Sequence, residues 1–194
     1  MRNCYYFDMD GVLVYFDEQA KTDKPFNILN SHYFTTCPPD VTAVDVMKSL
    51  SLLPGCDVKV LTRVYLEIPD ERLLNQLLDE HTADKRAWCE RFLDFRAARD
   101  WSQVNTVDDF ICLRQTNVKT AVLDGIPQHL RRHHVLIDDD PVILAAWVNA
   151  GGSAVQFLQP QRKVAMWHGK IIKSGDSVPH AVNELYYIER TEAS

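Results

Sequence analysis

The sequence predicts a doubly wound α/β fold on a parallel sheet. Three observations carry this. Short apolar runs alternate with stretches of helical periodicity along most of the chain, the pattern of βαβ units. The runs are continuously apolar, which suits strands covered on both faces. Carboxylates and other polar groups gather at the carboxyl ends of those runs, where open parallel sheets place their ligands.

The elements follow in order. CYYFD (4–8) reads as the first strand and DVKVLT (57–62) as the second, with Gly55 before it. DFICLR (109–114), HVLID (134–138) and SAVQFLQ (153–159) are the third, fourth and fifth. A helix over 40–50 carries Val41, Val44 and Met47 or Val46 on one side, just after Pro38 and Pro39. A second, 69–80, starts at Pro69 with acids in its first turn and sets Leu73, Leu74, Leu77 and Leu78 on one face. Helices over 82–95 and 140–152 follow, the last with Gly151 as its C-cap. Residues 17–36 have no clear period and read as a small insertion, a flap over the site. Within 160–194, KVAMWHGKIIKS reads as a hairpin around His168–Gly169 and PHAVNELYYIER as a closing helix. No repeat, low-complexity tract or linker divides residues 1–194, so one domain is expected.

Composition narrows the function. The chain has 194 residues, 46% hydrophobic and 25% charged, an ordinary globular balance with length for one good core. A net charge of −6 disfavours strong nucleic-acid or acidic-membrane binding. No apolar segment reaches the length of a membrane span. Cys4, Cys37, Cys56, Cys89 and Cys112 are odd in number, with no CxxC pair. A zinc ribbon or disulfide framework is therefore not expected. The expectation is a soluble cytoplasmic protein with free thiols.

Four strand ends carry chemistry. The first leads into Asp8-x-Asp10 with Gly11 behind it, and the second ends in Thr62, followed by Arg63. The third leads to QTNVKT with Lys119, and the fourth ends in Asp138, Asp139 and Asp140. Phosphoryl transfer needs these types. Asp8 at a strand tip is placed to attack phosphorus and form an aspartyl-phosphate. Mg²⁺, held by Asp8 and one of Asp138 or Asp139, removes the repulsion between carboxylate and phosphate. Asp10 is placed to protonate the leaving oxygen and later to take a proton from water. Thr62 offers a hydrogen bond to a phosphoryl oxygen, and Lys119 a fixed positive charge for the transition state. Gly11 frees the backbone to turn sharply. Singly these signals are weak: D-x-D arises by chance among 27 acids, and DDD before Pro141 also reads as a helix cap. Their joint order makes the argument.

FDMDGVL resembles the first motif of the haloacid dehalogenase superfamily of phosphatases. VKVLT resembles its second motif and VLIDDDP its fourth, in the same order, over roughly residues 4–158. Within that superfamily the chain is similar to the 5'(3')-deoxyribonucleotidases. ADKRAWCERF is similar to their segment between motifs two and three, and NVKTAV with VLIDDDP to motifs three and four. The resemblance implies a Rossmann-like core with a cap, Asp8 as nucleophile, Asp10 as acid/base, and Thr62 and Lys119 as phosphate holders. It implies metal ligation by Asp8, the backbone carbonyl of Asp10, and Asp139, with Asp138 beside it. Phe16 falls where these enzymes place an aromatic near the base. The implied substrate is a small phosphorylated molecule, a nucleotide.

Two departures stand out. The stretch DGIPQHLRRHH, absent from the family, separates Lys119 from Asp138 and makes Lys85 a rival for the phosphate-binding lysine. Lys119 is favoured because it follows a strand and has the closer local match. The insertion at 17–36 is too short for a helical bundle, so the cap is minimal and the site open. Gly11, Phe16, Arg63 and Lys85 complete the candidate substrate contacts. The cluster LRRHH (130–134) reads as a solvated helix end, and the four tryptophans as packing. The alternatives are a phosphatase of a larger substrate, such as a polynucleotide end or phosphoprotein, and a non-catalytic, receiver-type phosphate acceptor.

Overall fold

The computed structural model describes residues 2–15, 33–93, 109–160 and 165–188. Its centre is a six-stranded sheet in the order β3-β2-β1-β4-β5-β6. The strands are β1 (Asn3–Phe7), β2 (Cys56–Val64), β3 (Phe110–Arg114), β4 (His134–Asp138), β5 (Ser153–Leu158) and β6 (Lys170–Lys173). Every pairing is parallel, with Phe7 opposite both Val60 and Ile137. The helices are α1 (Tyr33–Thr36), α2 (Val41–Ser51), α3 (Glu71–Phe92), α4 (Pro141–Asn149) and α5 (Val178–Tyr186). The order is that of a Rossmann-like core. From β1 the chain fills the sheet first toward β3, then returns beside β1 and fills it toward β6. The reversal leaves a crevice beyond the ends of β1 and β4.

Residue alternation in β1 divides the core. Tyr5 and Phe7 face a layer with α2, α3 and α5, where Met47, Leu50, Trp88 and Leu185 are buried. Cys4 and Tyr6 face the other side, packed with Leu144 and Trp147 of α4. Each large apolar side chain buried there is worth ~1.5–3 kcal/mol. Both buried indoles satisfy their N–H: Trp88 donates to the Cys37 carbonyl at 2.8 Å and Trp147 to the His134 carbonyl at 3.0 Å. The five cysteines are free thiols, four of them buried. Burial pushes the Cys4 thiol up to about 11. No helix of the described residues is long and apolar enough to cross a membrane.

Sequence signals set most boundaries. Asp40, Asp70 and Asp140 cap α2, α3 and α4 through their side chains. Gly151 takes φ +96° just beyond α4, as a helix-ending glycine should. Other expectations need correcting. The helices expected over 69–80 and 82–95 are one 22-residue helix, α3. His81 and Thr82 interrupt the leucine pattern without breaking the backbone, and the Thr82 hydroxyl bonds back to the Leu78 carbonyl at 2.7 Å. Leu77 and Leu78 are buried but Leu73 is exposed, as is Val41 at the start of α2.

Among the described residues no hairpin forms at His168–Gly169: β6 runs parallel to β5. Residues 165–167 are held by a side chain instead. Gln156 donates to the Ala165 carbonyl at 2.7 Å and accepts from the Trp167 amide at 2.8 Å. Only residues 33–36 of the expected insertion are described, as α1. Its two flanks are tied to each other, for Tyr15 N donates to the Pro38 carbonyl at 2.8 Å and Val14 bridges Pro39.

Gly152 lies where a Cβ would sit inside contact distance of the buried Trp147 indole, which is hydrogen-bonded to the His134 carbonyl. Gly152→Ala is expected to cost about 1–3 kcal/mol, as overpacking does, lowering Tm by roughly 2–4 °C per kcal/mol. Gly125→Ala, with open space around it, should leave Tm unchanged. Equal Tm values for the two variants would refute the packing argument.

Candidate active site

The crevice at the sheet reversal is where the acidic residues meet. Beyond β1, the Asp8 amide donates to the Ile137 carbonyl of β4 at 2.9 Å, which fixes Asp8 beside Asp138. Gly11 follows with φ +87°, the left-handed conformation its turn requires. Asp138 closes β4 and is fully buried. Its Oδ1 accepts from the Asp140 amide at 2.9 Å and its Oδ2 from Lys119 Nζ at 2.7 Å. The same Nζ lies 2.7 Å from Asp8 Oδ1. Lys119 opens a short 3-10 turn, Lys119–Leu123, beyond β3.

The electrostatics follow from burial. Burial alone would push the Lys119 pKa down, but the charges of Asp138 and Asp8 reverse this and hold it above the usual lysine value. Burial pushes the Asp138 carboxyl up, Lys119 pulls it back, and the Asp8 charge adds to the rise. Asp8, Asp138 and Asp139 offer carboxylate oxygens that all lie within 4.8 Å of one another. Three hard oxygen donors fit Mg²⁺; among the described residues no His or Cys joins them to favour zinc. Asp140 caps α4 through Val142 N at 2.8 Å, so the cap and the cluster divide the DDD run between them.

The second half of the site belongs to β2 and α3. Lys85 Nζ lies 2.6 Å from Asp10 Oδ2, 2.8 Å from Thr62 Oγ1 and 3.1 Å from the Arg63 carbonyl. Its side chain has no exposed surface. The Phe34 ring closes over the ammonium at 4.6 Å, and His81 meets that ring edge-on at 5.5 Å. The continuity of α3 makes this possible: His81, Lys85 and Trp88 are spaced by four and three residues and share one buried face.

A cavity of about 290 Å³ opens between the halves. Asp8, Asp10, Asp138–Asp140 and Lys119 line one side; Phe34, Arg63–Leu66 and His81 line the other. The Arg63 guanidinium stands over the exposed Tyr65 ring at 5.9 Å.

Of the residues singled out in the sequence, Asp8, Asp10, Arg63, Lys119, Asp138 and Asp139 line this cavity. Thr62 and Lys85 lie immediately behind it. Phe16 lies outside the described residues. The two lysines have separate partners: one joins Asp8 to Asp138, the other Asp10 to Thr62. The Asp10 carboxylate stands apart from the three-carboxylate group and is committed to Lys85. LRRHH does end a 3-10 helix, with Arg132 exposed, but it is only partly solvated: Arg131 bonds the Ile126 and Ala150 carbonyls and His133 is buried. Sequence reasoning missed Phe34, His81 and Tyr65. A histidine four residues before a lysine and seven before a tryptophan was the available signal for His81. It also missed two glutamines. Gln156 donates to the Asp139 carbonyl at 3.0 Å, and Gln159 to the carbonyls of Val12 and Val14 at 3.3 and 3.0 Å. They brace the loops that follow β4 and β1. No protein-family model matches this chain, and no curated protein matches it significantly.

Removing Lys119 would leave two buried carboxylates facing each other. Lys119→Ala is therefore expected to lower stability by about 3–5 kcal/mol, the cost of breaking a buried pair from one side, read by chemical denaturation. Adding Asp138→Asn should recover part of the loss. A single variant as stable as the wild type would contradict the charge assignment.

Proposed function

We propose that this protein is a Mg²⁺-dependent phosphomonoester hydrolase of the haloacid dehalogenase type, working through an aspartyl-phosphate on Asp8. The observation that carries the reading is Lys119 between Asp8 and Asp138, beside a group of three carboxylates at the sheet reversal. Formally, four carboxylates (Asp8, Asp10, Asp138, Asp139) face two ammonium groups (Lys85, Lys119), an excess of two negative charges. A divalent cation balances that excess.

Asp8, Asp138 and Asp139 would hold the ion, which supplies charge neutralisation between an attacking carboxylate and a phosphate dianion. Asp10 takes up a proton as the phosphate dianion enters; Asp8 then attacks phosphorus, the ester P–O bond breaks, and Asp10 gives that proton to the departing oxygen. Water then attacks the aspartyl-phosphate, Asp10 takes the water's proton, and inorganic phosphate leaves with Asp8 restored. Two of the three Lys119 donors go to Asp8 and Asp138, which leaves the third for a phosphoryl oxygen. The aromatic side of the cavity, with Phe34, Tyr65 and His81 beside Arg63, suits a planar leaving group. That favours a nucleoside monophosphate.

Phosphate release is the test, with Mg²⁺ or EDTA, over nucleoside monophosphates, sugar phosphates and phosphorylated oligonucleotides. Release from nucleoside monophosphates that EDTA abolishes is expected. Asp8→Asn should lower kcat by at least about 10³-fold, as loss of a catalytic nucleophile does. Near-normal turnover of Asp8→Asn would remove the nucleophile. Release from oligonucleotide ends alone would replace the nucleotide by a polymer, and silence of the wild type on every ester would end the hydrolase reading.

A further inference from the structure

Lys85 sits at the proposed reaction centre without a surface to offer it. A lysine ammonium has three N–H donors. Here Asp10 Oδ2, Thr62 Oγ1 and the Arg63 carbonyl accept all three, at 2.6, 2.8 and 3.1 Å. The side chain is wholly buried and Phe34 lies over the ammonium at 4.6 Å. A phosphate could reach this group only by breaking one of those bonds and displacing an aromatic ring. Lys119, by contrast, lines the cavity and spends two of its donors.

We propose that Lys85 is a positioning residue that acts through Asp10 and Thr62 and does not touch the substrate. This rests on the hydrolase reading above. Each bond has a consequence. The bond to Oδ2 fixes the direction of the Asp10 carboxylate, which projects from a loop beyond β1. The bond to Thr62 makes the hydroxyl an acceptor toward Lys85, so its own proton is left for an oxygen on the other side. The bond to the Arg63 carbonyl ties the end of β2 to α3. One buried cation thus sets the aim of the proton-transfer group and the polarity of a neighbouring donor. Burying an ammonium is costly without a partner, and Asp10 supplies it.

The leaving group discriminates the role. Departure of an alkoxide needs a proton, whereas p-nitrophenolate leaves without one. Lys85→Met should lower kcat for β-glycerophosphate by about 10²-fold, the low end of what a positioned acid–base group contributes, with KM changed less than about threefold. With p-nitrophenyl phosphate the first-turnover burst of p-nitrophenol should keep near its wild-type rate, while steady-state turnover falls because water attack also uses Asp10. Lys85→Met should add little to Asp10→Asn in the double variant. If Lys85→Met alone does not fold, Asp10→Asn/Lys85→Met, which strands neither charge, is compared with Asp10→Asn for the same result. Losses that multiply in the double variant, or a rise in KM with equal losses for both esters, would show Lys85 binding phosphate directly and overturn the proposal. Those outcomes leave the hydrolase reading intact. Failure of the wild-type protein to cleave these esters or any nucleoside monophosphate would overturn both.

Discussion

The site depends on two ammonium groups buried among carboxylates. Lys119 joins the ends of β1 and β4, and Lys85 joins the loop after β1 to the end of β2. Neither cation would be stable there alone, nor would the acids. The sheet brings them together because its order reverses between β1 and β4. Three strand ends therefore converge, and side chains answer for most of the charge, helped by the Arg63 carbonyl and the Asp140 amide. The apolar layers above and below hold the strands in register; the ion pairs decide which way the strand ends face.

Part of this was legible in the sequence and part was not, for definite reasons. Asp8 and Asp138 follow or end short apolar runs, so their positions follow from strand length alone; Thr62, expected at the end of the second strand, lies inside it, because β2 continues to Val64. Lys119 was legible because it closely follows β3. Lys85 was visible as a residue but not as a partner of Asp10. Its role needs α3 to be continuous, and the polar stretch around His81 argues for a break. Only in an unbroken helix do His81, Lys85 and Trp88 fall on one face. β6 shows the opposite failure. A glycine between two short apolar runs suggests a hairpin, but the segment before it is fixed by the Gln156 side chain and enters the sheet in parallel.

The two glutamines connect the far edge of the fold to the chemistry. Gln156 and Gln159 stand at the end of β5, one strand beyond the acidic cluster. Their amides hold the carbonyls of Asp139, Val12 and Val14. A buried amide is neutral, so it can order loops next to charged groups without altering the balance of charge. The segment 165–167 leans on the same Gln156. The chain after β5 is thereby part of what holds the Asp139 loop, although none of its described residues lines the cavity.

The bond from Tyr15 to Pro38 and the bridge from Val14 to Pro39 bear on how such a protein can diversify. They clamp the neck of the segment between them. Chain added within a clamped neck costs little, since loop closure grows by only about 0.6 kcal/mol for each doubling of length. Such a neck lets the length of the interval vary at little cost to the strand ends, provided Phe34 keeps its place over Lys85 and so over the pair that holds Asp10.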